Sequence, residues 1–270
     1  MPEPITTVGL GAIAAYLGKD GVAKILGPTA DYLGGELQEF TKKRMDNIGK
    51  IFKKAEDKLG DRIEQQGAVP PKVLKTIINE GSYSEDEIAV EYFGGVLASS
   101  RSEMPRDDRG ARVAKTLDNL SYYQLRCHYL IYSTVSTIHK SQEKSFKQHN
   151  DRQKLEIYIP INDFATTMAL THQEWGNPQI LTHIFHGLNS DDLIADNWAF
   201  GSVETLKTMS RSEVITEPGI VCTPTAKGAE LFLWGFGCGS HDLDYVFSDE
   251  FNFSIDGMPQ MVNNSKATKI

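Results

Sequence analysis

The chain has 270 residues, of which 40% are hydrophobic and 24% charged, and its net charge is −8. Such values describe a soluble globular protein of one large or two ordinary domains. They exclude a chain-wide nucleic-acid surface, which needs clustered positive charge.

The charge is uneven along the chain. Residues 1–68 hold ten basic and ten acidic residues, so the remaining 18 basic and 26 acidic residues carry the whole excess. The N-terminal part therefore meets an anionic surface with less repulsion. The cysteines are Cys127, Cys222 and Cys238, an odd number without a C-x-x-C pair, which suits a reducing compartment. The start "MPEPITT" lacks the basic region of a signal peptide. The expected location is cytoplasmic.

Residues 5–27 read as a weak amphipathic helix, with Leu10, Ile13, Ala14 and Leu17 at i, i+3, i+4 and i+7, and Ile25 and Leu26 closing the apolar run. Gly9, Gly11, Gly18 and Gly21 each cost about 1 kcal/mol against Ala in a helix interior. Such a helix needs contacts from the fold, from other copies or from lipid. Lys19, Asp20 and Lys24 interrupt it, so it is not a clean transmembrane span. Gly27-Pro28 ends it.

Residues 36–66 carry the strongest helical pattern. Thr41, Met45, Ile48, Phe52, Ala55 and Leu59 form a heptad-like seam, and Lys42, Lys43, Lys50, Lys53, Lys54 and Lys58 cover the other faces. The helix either packs on the core or self-associates. Pro70-Pro71 then open a helix with the stripe Val73, Leu74, Ile77 and Ile78, which Gly81 stops. Ser84 and Glu87 fit a capping box for the next helix, whose buried face is Ile88, Tyr92, Phe93, Val96 and Leu97.

Residues 101–112 form a charged loop, and 113–140 one or two helices rich in tyrosine. "KLEIYIPI" alternates as a strand, with Pro160 placing it at a sheet edge. Residues 178–209 are helical again. "SEVITEPGIVCTPTAKGAELFLWG" reads as strand, turn, strand and a short helix capped near Thr225. The expected fold is mainly α with a small β component (α+β), an N-terminal helical region followed by a winged-helix-like C-terminal module. The expected divisions are 1–68, 69–112, 113–254 and a loose tail at 255–270.

Three sets of residues invite chemistry. His183-x-x-His186 would share a helix face, but no third ligand stands at metal-site spacing, so no metal or cofactor is expected. "WGFGCGS" followed by His241 and Asp242 suggests either a tight turn or a Cys–His nucleophile; it is neither G-x-S-x-G nor a phosphate-binding Walker loop. Lys207 and Arg211, on "GSVETLKTMSR", are the only basic contacts of a would-be recognition helix.

The stretch "VPPKVLKTIINEGSYSEDEIAVEYFGGVLASS", together with the Gly-rich start, the Lys-rich helix and "IVCTPTAKGAELF", resembles the abortive-infection alpha (Abi-alpha) family of bacterial proteins. The resemblance covers residues 5–110 and, more loosely, 200–235. In this chain Thr225-Ala226-Lys227 lengthens the C-terminal motif before Gly228. The resemblance implies a role in anti-phage defence and supplies no reaction. The reading it supports is a non-enzymatic protein. It would act through N-terminal self-association, a partner defence protein or an anionic membrane, with the remainder as a sensor. Leu10, Ile13, Leu17, Ile25, Leu26, Lys42, Lys43, Lys50, Phe52, Lys53 and Lys54 are the candidates for that contact. The alternative is a winged-helix nucleic-acid-binding regulator using Lys207 and Arg211.

Overall fold

The computed structural model describes Gly21, Lys24 and residues 42–84, 86–104, 106–140 and 142–268. The protein is α+β, with helices dominating and one four-stranded sheet. Its chain divides into two units. One runs to Asn119 and includes Trp234–Ser240; the other comprises Leu120–Leu233 and His241–Ile270. The described residues of the stretches expected at 1–68 and 69–112 fall in the first of these units.

In the first unit, helix α1 (Lys42–Leu59) buries Met45, Ile48, Phe52, Ala55 and Leu59, so the heptad-like seam is a core seam. Helix α2 (Pro71–Thr76) starts with proline at its first position and widens into one π turn, Ile77–Gly81. Helix α3 (Glu87–Ser100) is capped by Asp86, whose carboxylate accepts from the Ile88 amide at 2.9 Å and the Ala89 amide at 3.3 Å. The expected Ser84 box is therefore displaced by two residues. Ser84 instead closes a turn through its own amide onto the Gly81 carbonyl, and the carboxylate of Asp86 serves two helix amides at once. Helix α4 (Arg109–Asn119) completes this part.

Helix α3 is buried on nearly every side, and its small residues explain how. A Cβ on Gly94 would lie 2.5 Å from the Lys54 Cβ and 3.0 Å from the Ile51 carbonyl oxygen. A Cβ on Gly95 would lie 1.8 Å from the Gly235 carbonyl oxygen. Helix α3 thus touches α1 on one side and the Trp234–Ser240 segment on the other, backbone to backbone. Ser99 holds that segment twice: its hydroxyl donates to the Trp234 carbonyl at 3.2 Å and accepts from the Gly239 amide at 3.0 Å. Arg62 adds a bond to the Gly237 carbonyl at 3.2 Å. The "FGGVLASS" stretch is the seat of "WGFGCGS".

The second unit is built on helix α5 (Tyr122–His139), started by a capping box of Ser121 and Gln124. It buries residues all round, including Cys127, His128, Tyr129 and Tyr132. Phe232 packs on it, with ring centroids 6.3 Å from Tyr129 and 5.9 Å from Tyr132. Short helices α6 (His149–Arg152), α7 (Ile161–Thr167) and α8 (His172–Trp175) and the longer α9 (Pro178–Ser190) follow in order.

The sheet is antiparallel throughout, in the order β2 (Ala199–Gly201), β3 (Gly219–Cys222), β1 (Ile157–Pro160), β4 (Lys266–Ala267). Strand β1 is interior rather than at an edge. Pro160 is tolerated because β4 pairs only with Ile157 and Tyr158 and leaves that end uncovered. The strand expected within residues 213–216 is irregular, and β3 pairs instead with β2 and β1. Helix α10 (Val203–Met209) lies in sequence between the paired strands β2 and β3, its Leu206 packed with Tyr158, Ile215 and Val221. Helix α11 (Ala226–Gly235) follows β3.

The tail expected to be loose is docked. Ile255 and Val262 are buried, the Val262 amide donates to the Thr134 hydroxyl at 3.1 Å, and the Thr268 amide donates to the Glu156 carbonyl at 3.0 Å. Two apolar anchors and a strand pairing give those residues a partner that a polar composition did not advertise.

Candidate functional site

A cleft of about 660 Å³ opens in the second unit. Three stretches build its walls: α6 with Gln153, the turn after α9, and the start of α11. The chain leaves β3 through Thr223-Pro224-Thr225 and enters α11. Thr225 is the cap, accepting from the Gly228 amide at 3.0 Å, where the sequence placed it. Its hydroxyl donates in turn to the Asp192 carbonyl at 2.6 Å.

Behind the wall, the buried Tyr132 hydroxyl donates to the Leu193 carbonyl at 2.6 Å and accepts from the Thr225 amide at 2.8 Å. Burial pushes its phenol pKa up, so it remains a neutral donor. One hydroxyl therefore ties the two turns of the cleft together. Asn197 ties a third point, donating to the Thr223 hydroxyl at 2.8 Å and to the carboxylate of Glu156 at 3.3 Å. Glu156 is buried and also accepts from Ser210 at 2.6 Å.

The groups facing the cleft are mostly donors. Arg152 is positioned by two carbonyl oxygens, Phe146 at 2.7 Å and Lys147 at 3.1 Å, and Lys227 by the Asp191 carbonyl. Neither pairs with a carboxylate among the described residues. The amides of Ala226 and Lys227, in the first turn of α11, have no acceptor among the described residues, as a helix start leaves them. His149 stands at the rim. The one acid in the lining is Asp192, held at φ 57°, a conformation that Asp and Asn enter more readily than other side-chain-bearing residues. Two fixed cations, two open amides and one carboxylate make a site suited to an anion.

The residues singled out in the sequence lie elsewhere. Leu10, Ile13, Leu17, Ile25 and Leu26 fall outside the described residues, as does the side chain of Lys42. Phe52 is wholly buried in the first unit, so it is core and not a contact surface. Lys43 and Lys50 are exposed. Lys53 pairs with Glu56 at 2.8 Å and Asp57 at 2.9 Å, and Lys54 with the buried Glu91 at 2.7 Å. Lys58 pairs with the same Glu91. Burial lowers the Lys58 pKa although Glu91 raises it. Lys207 and Arg211 are exposed.

His183 and His186 do not converge. The His183 ring is 2.9 Å from the Ser121 hydroxyl, and His186 packs edge-on to Trp198 with centroids 4.9 Å apart. Among the described residues no three His, Cys, Asp or Glu side chains could share a metal ion. Cys238 is half-buried, its thiol directed to the Phe236 carbonyl and its pKa pushed up by burial, the opposite of an activated thiolate. His241 stacks on Tyr245 at 4.0 Å.

Sequence reasoning found the cap at Thr225 and missed the cleft. Arg152, Asp192, Asn197 and Lys227 are spread over 76 positions and share no motif. Compared with protein families, with curated proteins and with solved structures, the chain matches none.

Proposed function

We propose that this is a non-enzymatic defence protein of the abortive-infection type, in which the second unit senses a small anionic ligand and the N-terminal region assembles copies of the chain. The observation that carries the sensing half is the cleft: its lining offers donors that bind and orient an anion. The assembly half rests on the Gly-rich apolar segment around Leu10, Ile13 and Leu17, which is a poor helix by itself. Of the three proposed partners, another copy of the chain is favoured over lipid. Lys53 and Lys54 are already neutralised by acids, leaving a thin positive face for an anionic surface. No helix among the described residues is long and apolar enough to cross a membrane. A partner defence protein would compete for the same segment.

Sedimentation of the full chain and of a Leu10→Asp/Leu17→Asp variant tests this. Association lost in the variant supports the reading; identical behaviour overturns it. Release of dye from anionic liposomes, tried on the same two proteins, separates lipid from self-association.

A second reading keeps the winged-helix-like module as a nucleic-acid contact. Its support is the exposure of Lys207 and Arg211 beside a short antiparallel pair, β2 and β3. Two cations in an acidic chain give few phosphate contacts. A gel shift insensitive to Lys207→Ala and Arg211→Ala would remove it.

A further inference from the structure

The geometry points to a phosphorylated, hydroxyl-bearing small molecule, of the sugar-phosphate or nucleotide class, as the ligand of the cleft in the second unit. The inference rests on the sensing role proposed above only for what binding triggers; the binding itself stands on the cleft.

The charged and amide donors of the lining suit a phosphate group. Arg152 and Lys227 are held by backbone carbonyls, which fix their direction without cancelling their charge. A planar guanidinium, an ammonium and two open amides in one lining match a phosphate, which has three terminal oxygens to satisfy. The amides of Ala226 and Lys227 open the ten-residue helix α11, whose dipole adds to the same attraction. A bare inorganic anion would leave most of the cleft unfilled, since about 660 Å³ is the size range of sites for whole small molecules.

Asp192 decides the rest of the ligand. A carboxylate in the lining repels a second anionic group, but it accepts hydrogen bonds from hydroxyls. Asn197, Gln153 and Thr223 add side-chain amides and a hydroxyl to the same lining. The lining thus combines charge-assisted donors with groups that exchange hydrogen bonds with hydroxyls. A molecule that carries both a phosphate and hydroxyls satisfies both sets.

Calorimetric titration of the full chain with inorganic phosphate and with ribose 5-phosphate tests the inference. Both are expected to bind saturably, ribose 5-phosphate the more tightly. Arg152→Gln is expected to weaken both by about tenfold, the loss of one charge-assisted contact. Asp192→Asn suits the same backbone conformation, and its effect has a signature that simple damage cannot give. It is expected to tighten inorganic phosphate by removing a repulsion, and to narrow the advantage of ribose 5-phosphate.

Arg152 also supports the Phe146 and Lys147 carbonyls, so its variant could unfold. Ala226→Pro then serves in its place, because proline is accepted at a first helical position and deletes one open amide. Its expected cost is about threefold to tenfold in affinity. Absence of saturable binding by either probe overturns the inference, as does unchanged affinity in a folded Arg152→Gln or Ala226→Pro protein. Equal affinity for the two probes overturns the hydroxyl-bearing half and leaves a phosphate site. Phosphate binding that leaves sedimentation of the full chain unchanged overturns the sensing role proposed above while this inference stands.

Discussion

The two units of this chain hold themselves together by different means. In the first, backbones meet directly: Gly94 and Gly95 remove the side chains that would keep α3 from α1 and from the Trp234–Ser240 segment. In the second, large aromatic and polar side chains span the interior. His128 bonds the Gly228 carbonyl at 3.1 Å, Tyr132 ties Leu193 to Thr225, and Phe232 packs against both rings and against Phe251 and Phe253. Contact between backbones tolerates no added atoms. A core of hydrogen-bonded side chains tolerates small changes of volume, yet responds to protons and to the loss of a single hydroxyl. The cleft lies in the unit of the second kind, where polar groups are already fixed in place.

The comparison breaks most sharply at Gly95. Gly95→Ala would place a methyl group 1.8 Å from a main-chain oxygen that no rotamer change can move. The expected cost is about 3 kcal/mol or more, read as a lower urea midpoint. A cost under about 1 kcal/mol would show that the segment is not seated as described.

The next effect is pH-dependent and belongs to the second unit. Desolvation lowers the His128 pKa from 6.5 to about 3. Below pH 6.5 the unfolded chain takes up a proton that the folded protein refuses. The stability present at neutral pH is therefore lost as pH falls from about 6.5 toward 3. Between pH 7 and pH 5 the loss from this one group is about 2 kcal/mol. His139, also lowered by burial, acts with the same sign. Urea unfolding at the two pH values measures it, and His128→Gln should flatten the dependence.

Tyr132→Phe removes one oxygen and strands the Thr225 amide and the Leu193 carbonyl. It is expected to cost about 1.5 kcal/mol and to weaken phosphate binding as the cleft loosens. Unfolding curves and the same titration read both effects. The smallest effect sharpens a boundary in the first unit: Asp86→Ala should cost about 1 kcal/mol, and Ser84→Ala less than about 0.5 kcal/mol. The reverse order would return the cap to Ser84.

Much of the helical order was legible in the sequence. The seam from Met45 to Leu59, the stripes at Val73–Ile78 and Ile88–Leu97, the strand at Ile157 and the cap at Thr225 all follow from local periodicity and from side chains that bond their own backbone. Locality also explains the near misses. Ser84 and Asp86 are both competent caps, and only the turn closing on Gly81 decides between them.

What required the tertiary structure is everything set by distant pairing. The interior position of β1 depends on β4, more than 100 residues away, and the docked tail depends on Thr134 and Glu156. Lys53 and Lys54 look like a positive face in the sequence, and the fold spends one on Glu56 and Asp57 and the other on Glu91. The cleft is the strongest case. Arg152, Asp192, Asn197 and Lys227 have no spacing that marks them, because a binding site needs proximity in space and the chain supplies it by folding, with two of the turns joined through one buried tyrosine. The sequence by itself determined where helices begin, which faces they bury and where small residues permit close approach, since these depend on near neighbours. Which charges stay uncompensated, and around what space they gather, was decided only when the chain closed on itself.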